Sequence, residues 1–212
     1  MPAGILSECY TSESGGIIML NLKKIRRDQS GFTLVEIAIV LVIIGLIIGG
    51  VLKGQAMIEN AKVKRVVKQG DELRAAIMTF YDKYGVYPGD ENLGPIPPQG
   101  GDHEGNGNGQ ITGAEVYEVF NDLGLAGIIS GTYNGTSDLP KHAFGGNVDV
   151  SWVDPPGNAT PPAHYLRYYN LPGEVCREID TKYDDGVYNT GSIVGSANYT
   201  VGTNIAVFYM KF

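Results

Sequence analysis

One carboxylate stands inside an otherwise unbroken apolar run. Residues 32 to 52 read FTLVEIAIVLVIIGLIIGGVL, 21 positions with Glu36 as the one ionisable side chain, closed by Lys53. A charge at the centre of a membrane helix costs about 2.5–3.5 kcal/mol, less near an end, so Glu36 is a functional candidate. A second chemistry is spelled by oxygen ligands. With Glu104 as position 1, Asn106, Asn108, the Gln110 carbonyl, Thr112 and Glu115 fall at positions 3, 5, 7, 9 and 12, and Gly109 at 6, the spacing of an EF-hand-like calcium loop. Only two of these ligands are carboxylates, which predicts weak binding, about 10⁻⁴–10⁻³ M. The competing reading is metal-free: Thr112-x-x-Glu115 is a capping box that starts the next helix. Asp184 and Asp185 before Gly186 form a weaker acidic candidate, equally readable as an Asx turn. His103, His142 and His164 have no ligand spacing and are expected in surface or loop positions. No catalytic motif joins them to a serine, cysteine or carboxylate, so the chain is read as non-enzymatic, with no required cofactor and calcium as the one candidate.

The element that must position Glu36 is a helix. At about 1.5 Å per residue, 21 residues span the roughly 30 Å hydrocarbon core of a bilayer. Lys23, Lys24, Arg26 and Arg27 precede the run, which places its N-terminal end in the cytoplasm by the positive-inside rule. The run is too long for a secretory signal peptide, and LKGQA after it is a poor cleavage site. Beyond Lys53 the apolar residues Val63, Val66, Val67, Leu73, Ile77, Phe80 and Tyr84 recur at helical spacing, with Gly70 on the same stripe. One helix is therefore expected from Phe32 to about Tyr84, roughly 80 Å long, ended by Gly85 and Pro88. Gly45 with Gly49, and Gly50 with Gly54, form two G-x-x-x-G pairs on which helix backbones could approach closely. The alternative is that they only loosen the helix, by about 1 kcal/mol each relative to alanine.

Gly31-Phe32-Thr33-Leu34-Val35-Glu36, behind a basic leader and ahead of the apolar run, resembles the processing signal of type IV prepilins and pseudopilins. The resemblance implies cleavage between Gly31 and Phe32 by a membrane prepilin peptidase, N-methylation of Phe32, and a mature chain of 181 residues. Gly31 suits this step because a residue without a side chain lets the backbone enter a narrow cleft in extended form. The new Phe32 amine would lie close to Glu36. In a helical stack the amine of one subunit could neutralise the carboxylate of its neighbour, and any other axial shift would leave charges buried and unpaired, so the pair would set the register. A start at Met19 would give a leader of 13 residues. Cys9 leaves with the leader, so the mature chain retains only Cys176. It cannot close the C-terminal disulfide loop that many pilins have.

The rest of the chain reads as an α+β head. Residues 88 to 109 hold seven Gly and four Pro among 22 positions and must be loop. A short helix is expected over 113–123. Strands are expected at 148–153, 164–169 and 204–210, and Val175, Ile179 and Tyr183 have helical spacing between the last two. Tyr87-Pro88-Gly89-Asp90, LAGIISGTY at 125–133 and IDTKYDDG at 179–186 also resemble larger pilin-like members, more loosely. The expected organisation is a removable leader (1–31), a membrane and filament-core helix (32–52), an amphipathic stalk (53–87) and a globular head (88–212). The net charge of −7 divides unevenly: the stalk has seven basic and four acidic residues, the head five basic and fifteen acidic. An acidic head of this kind excludes bulk nucleic-acid binding. The resulting expectation is a structural subunit of a type IV pilus or pilus-like filament. Its partners would be identical or homologous pilin subunits, the prepilin peptidase and methyltransferase, and an inner-membrane assembly machine. It would wait in the inner membrane and then reach the cell surface. The alternatives are a periplasmic pseudopilin of type II secretion and a membrane-tethered adhesive or ligand-binding module that does not polymerise.

Overall fold

The computed structural model describes residues 31–92, 94, 105–157 and 161–212; the leader through Ser30, His103 and Glu104 lie outside them. The chain divides into two compact units between Gly49 and Gly50. Helix α1 (Leu34–Tyr84) belongs to both. It begins two residues later than the apolar run because Thr33 is spent as its cap, and an 18-residue window near its N-terminus is apolar enough to cross a membrane with none of it buried. In the first unit every described residue is exposed.

In the second unit α1 acquires one buried face. Val63, Val66, Val67, Leu73, Ala76, Ile77 and Phe80 are buried at three- and four-residue intervals, the stripe that the periodicity predicts. It ends at Gly85, whose positive φ of 79° suits glycine at a helix C-terminus and whose N–H donates to the Tyr81 carbonyl at 2.7 Å. The remaining elements are α2 (Glu115–Leu125), β1 (Val148–Val153), β2 (Ala163–Pro172), α3 (Gly173–Tyr183), β3 (Ile193–Gly195) and β4 (Asn204–Lys211). The strands form one antiparallel sheet in the order β1-β2-β4-β3. This is the expected α+β class: a long N-terminal helix with a small antiparallel-sheet head. Boundaries move by a few residues, α2 starting and ending later and β2 extending to Pro172. β3 was not predicted because three residues cannot display an alternating pattern.

The register Leu166↔Met210 and Tyr168↔Phe208 puts four large side chains on one sheet face, where they share a core with the α1 stripe. Each large apolar side chain so buried stabilises by about 1.5–3 kcal/mol. Gly70 is the point of closest approach. A Cβ there would lie 2.8 Å from the Tyr168 Oη, which donates to the Val66 carbonyl at 3.3 Å. The glycine in the stripe is thus a seat for a tyrosine that crosses the helix. On the opposite sheet face Arg167 pairs with Asp149 through two bonds of 2.7 and 2.8 Å, and Tyr169 donates to the same carboxylate at 2.9 Å.

Candidate functional site

Gly31, Phe32 and Thr33 are non-helical, and Phe32 is 83% exposed. The Gly31–Phe32 bond therefore lies in exposed, non-helical backbone ahead of a helix start. That start is a reciprocal capping box. The Thr33 N–H and O–H both donate to Glu36 Oε2 at 2.8 Å, and the Glu36 N–H donates to Thr33 Oγ1 at 3.2 Å. The carboxylate meets the positive end of the longest helix in the chain, where the macrodipole favours it. Thr33 is a functional residue that sequence reasoning missed, although the signal was present: the same T-x-x-E spelling recognised at 112–115 occurs at 33–36. Gly45, Gly49, Gly50 and Gly54 lie on α1 with open space where a Cβ would stand. Among the described residues nothing requires them to be glycine.

Residues 26–52 match the family model described as the prokaryotic N-terminal methylation motif. The chain carries the type IV pilin and pseudopilin signature. No curated protein and no solved structure matches it. The motif covers the basic leader end, the Gly31–Phe32 bond, Glu36 and the apolar part of α1. In general terms it implies processing by prepilin peptidase, assembly with pilin subunits, and a precursor anchored in the membrane by the apolar helix.

The proposed calcium loop is built around a carboxylate outside its own ligand set. Asp90 accepts the Asn108 N–H at 3.0 Å and the Gly109 N–H at 2.7 Å, and its carbonyl accepts the Gly107 N–H at 2.7 Å. Glu115 Oε1 accepts from Asn106, both backbone N–H (3.2 Å) and side-chain amide, while Oε2 accepts the Thr112 N–H at 2.7 Å. Asn106 and Asn108 each accept an N–H two residues on, from Asn108 at 3.1 Å and Gln110 at 2.8 Å. The oxygens of positions 3, 5 and 12 are thus engaged by the loop's own amides. The Thr112–Glu115 contact is half of a capping box, since the N-cap of α2 is Ala114 and its side chain makes no capping bond.

The second acidic candidate gains a member. Asp180 from α3 joins Asp184 and Asp185, with carboxylate oxygens of all three within 4.8 Å of one another. Asp184 accepts the Ser192 and Ile193 N–H groups at 2.6 and 2.8 Å. Asp185 accepts the Val187 N–H at 2.8 Å. Asp180 accepts the Gly186 N–H at 3.0 Å and the Tyr199 O–H at 2.8 Å. Burial pushes the Asp180 carboxyl up, against these two bonds. Together the three fasten residues 186–193 to α3.

One histidine expectation is corrected, since His164 lies in β2, whereas His142 stands in a loop ahead of β1 as expected. His142 and His164 are buried, 4% and 6% exposed. His142 Nε2 bonds the Tyr169 carbonyl at 2.8 Å and its Nδ1 accepts the Phe144 N–H at 3.1 Å, which sets the neutral tautomer. His164 Nε2 accepts the Ile111 N–H at 3.2 Å, and its ring contacts Tyr87, Trp152 and Phe212. Each ring is buried with a nitrogen bonded to backbone far away in sequence, His142 to Tyr169 of β2 and His164 to Ile111, pairings that spacing alone does not reveal. Cys176 is a buried free thiol, and burial holds its ionisation well above the usual range.

Proposed function

We propose that this chain is a structural subunit of a type IV pilus or pilus-like filament, cut at Gly31–Phe32, methylated on Phe32 and assembled through α1. The observation that carries the reading is the coincidence of the methylation motif with an exposed, non-helical Gly31–Phe32 bond directly ahead of the Thr33–Glu36 cap. Both Thr33 bonds end on Glu36 Oε2. Oε1 is the atom that would receive the Phe32 amine of a neighbouring subunit, with the register consequence that unpaired buried charge is costly. The four glycines with open space beside them suit close helix approach in such a stack. The precursor waits in the inner membrane and its product is carried at the cell surface.

A second reading within the class, a periplasmic pseudopilin of type II secretion, is favoured by one feature. The C-terminal region is pinned by the carboxylates of Asp180, Asp184 and Asp185 and not by the disulfide of many pilins. Shearing cells and analysing the released filaments by microscopy and mass spectrometry tests both. Filaments built from chains that begin at methylated Phe32 support the pilus subunit. A processed chain confined to the periplasm supports the pseudopilin, and an uncleaved chain restricted to membranes overturns both in favour of a tethered module.

A further inference from the structure

The exposed charge of the second unit is weighted toward opposite signs in two neighbouring stretches, 53–68 and 174–185. Residues 53–68 of α1 hold Lys53, Lys62, Lys64, Arg65 and Lys68, all exposed, against one acidic residue, Glu59. Arg65 and Lys68 are engaged by Glu72 at 3.3 and 3.4 Å. Among the described residues no carboxylate lies within 4.0 Å of Lys53, Lys62 or Lys64. The acidic side is equally concentrated. Of the fifteen carboxylates in residues 88–212, seven are buried and two, at 102 and 104, lie outside the described residues. Four of the remaining six, Glu174, Glu178, Asp184 and Asp185, fall on α3 and the turn after it, where they outnumber the two exposed cations of the same stretch, Arg177, which donates to the Tyr199 carbonyl, and Lys182. The patches adjoin: Lys64 of α1 lines one cavity of ≈ 120 Å³ with Glu178 and Lys182 of α3, and no ion pair within 4.0 Å joins Lys64 to Glu178.

We infer that the basic band of α1, residues 53–68, docks against the acidic patch at 174–185 of a second copy of this chain. The inference rests on the filament reading above and supplies it with a side contact. Two different patches on one chain make a heterologous contact, which generates an open helical polymer when the rotation does not close. The charges must meet directly, because screening at physiological salt limits their reach to about 8 Å. Anionic lipid headgroups could also face the band, but they would leave the acidic patch unmatched, whereas a second copy matches both.

The test uses the full-length chain in cells that assemble it. Lys53→Glu with Lys64→Glu, and separately Glu174→Lys with Glu178→Lys, should each lower sheared filament by about tenfold, since every subunit contact then sets like charges together. Processed chain in the membrane should stay at the wild-type level. The fourfold variant, with both patches reversed, should restore filament. A cross-link arm needs no charge change to be tolerated: copies with Lys53→Cys and copies with Glu174→Cys, produced together, should form a mixed dimer in filaments that neither forms alone. Normal assembly of either half-swap, or loss in the basic half-swap without rescue by the fourfold variant, as headgroup contact would give, overturns the inference. Wild-type chains that never polymerise overturn the filament reading as well.

Discussion

The two ends of α1 are one helix made by two different rules. Residues 34–49 are apolar on every side and exposed on every side, and the Thr33–Glu36 box is their one side-chain hydrogen-bonded contact among the described residues. Residues 63–80 are apolar on one stripe alone, and that stripe is buried against a sheet. A helix that is apolar all round requires a surrounding of lipid or other helices, whereas an amphipathic one is completed by its own chain. The comparison teaches where mutations should be felt: in the chain's own stability for the second segment, in membrane and filament for the first. The largest contrast is Phe80→Ala against Ile43→Ala. Phe80 is fully buried, so its truncation should cost about 3–5 kcal/mol through lost transfer energy and a cavity. Ile43 is 51% exposed, and its truncation should leave thermal unfolding of the detergent-solubilised chain unchanged. Near-ultraviolet circular dichroism of the tyrosines and Trp152 reads both, and equal losses would break the distinction.

Glycines sharpen the comparison because the same substitution should change sign along the helix. Gly70→Ala places a methyl 2.8 Å from the Tyr168 Oη and should destabilise by about 1–3 kcal/mol, with Tyr168→Phe partly restoring the loss. Gly49→Ala meets nothing within 4 Å and should raise helix stability by about 1 kcal/mol. If Gly49→Ala nevertheless abolishes filaments, the glycine serves an approach between subunits.

Much of this was legible in the sequence, and for identifiable reasons. The α1 stripe, β1 and the processing signal are each written in neighbouring residues at a fixed period or register. What could not be read joins residues far apart. Asp90 holding Asn108 and Gly109, Tyr199 donating to Asp180, and His164 receiving the Ile111 N–H all depend on which segments the fold brings together. The Thr33–Glu36 box is different, being local and spelled out, but eclipsed by the stronger reading of Glu36 as an assembly charge. It leads to the third prediction. Thr33→Ala removes the cap and should cost about 0.5–2 kcal/mol of local helix stability. It should show as faster amide exchange in the first turn of α1, with no change at Val63 to Phe80. A change that spreads to the buried stripe would mean that the two segments unfold as one.

The smallest expected effect is a pH dependence confined to the packed part of the molecule. Burial lowers the affinity of both His142 and His164 for a proton, from an ordinary value of 6.5, with Asp90 pulling His164 partly back. Protonation would also turn an accepting nitrogen into a donor facing the Phe144 N–H in one case and the Ile111 N–H in the other. The unfolded chain therefore binds protons more readily than the folded one as pH falls through 6.5. The histidine contribution to stability is complete above that value and is lost progressively below it, toward the lowered folded-state values. Asp180 acts in the opposite sense at more acid pH, since its raised carboxyl takes up a proton more readily in the folded state. His164→Gln offers an amide oxygen to the Ile111 N–H, and His142→Asn one to the Phe144 N–H, without a titrating group. The double variant should flatten the fall in melting temperature between about pH 6.5 and pH 5, the interval that separates an ordinary histidine from the carboxylates. Amide exchange in residues 34–49 should show no matching pH step, because no histidine lies there; an equal step in both segments would place the titrating group elsewhere.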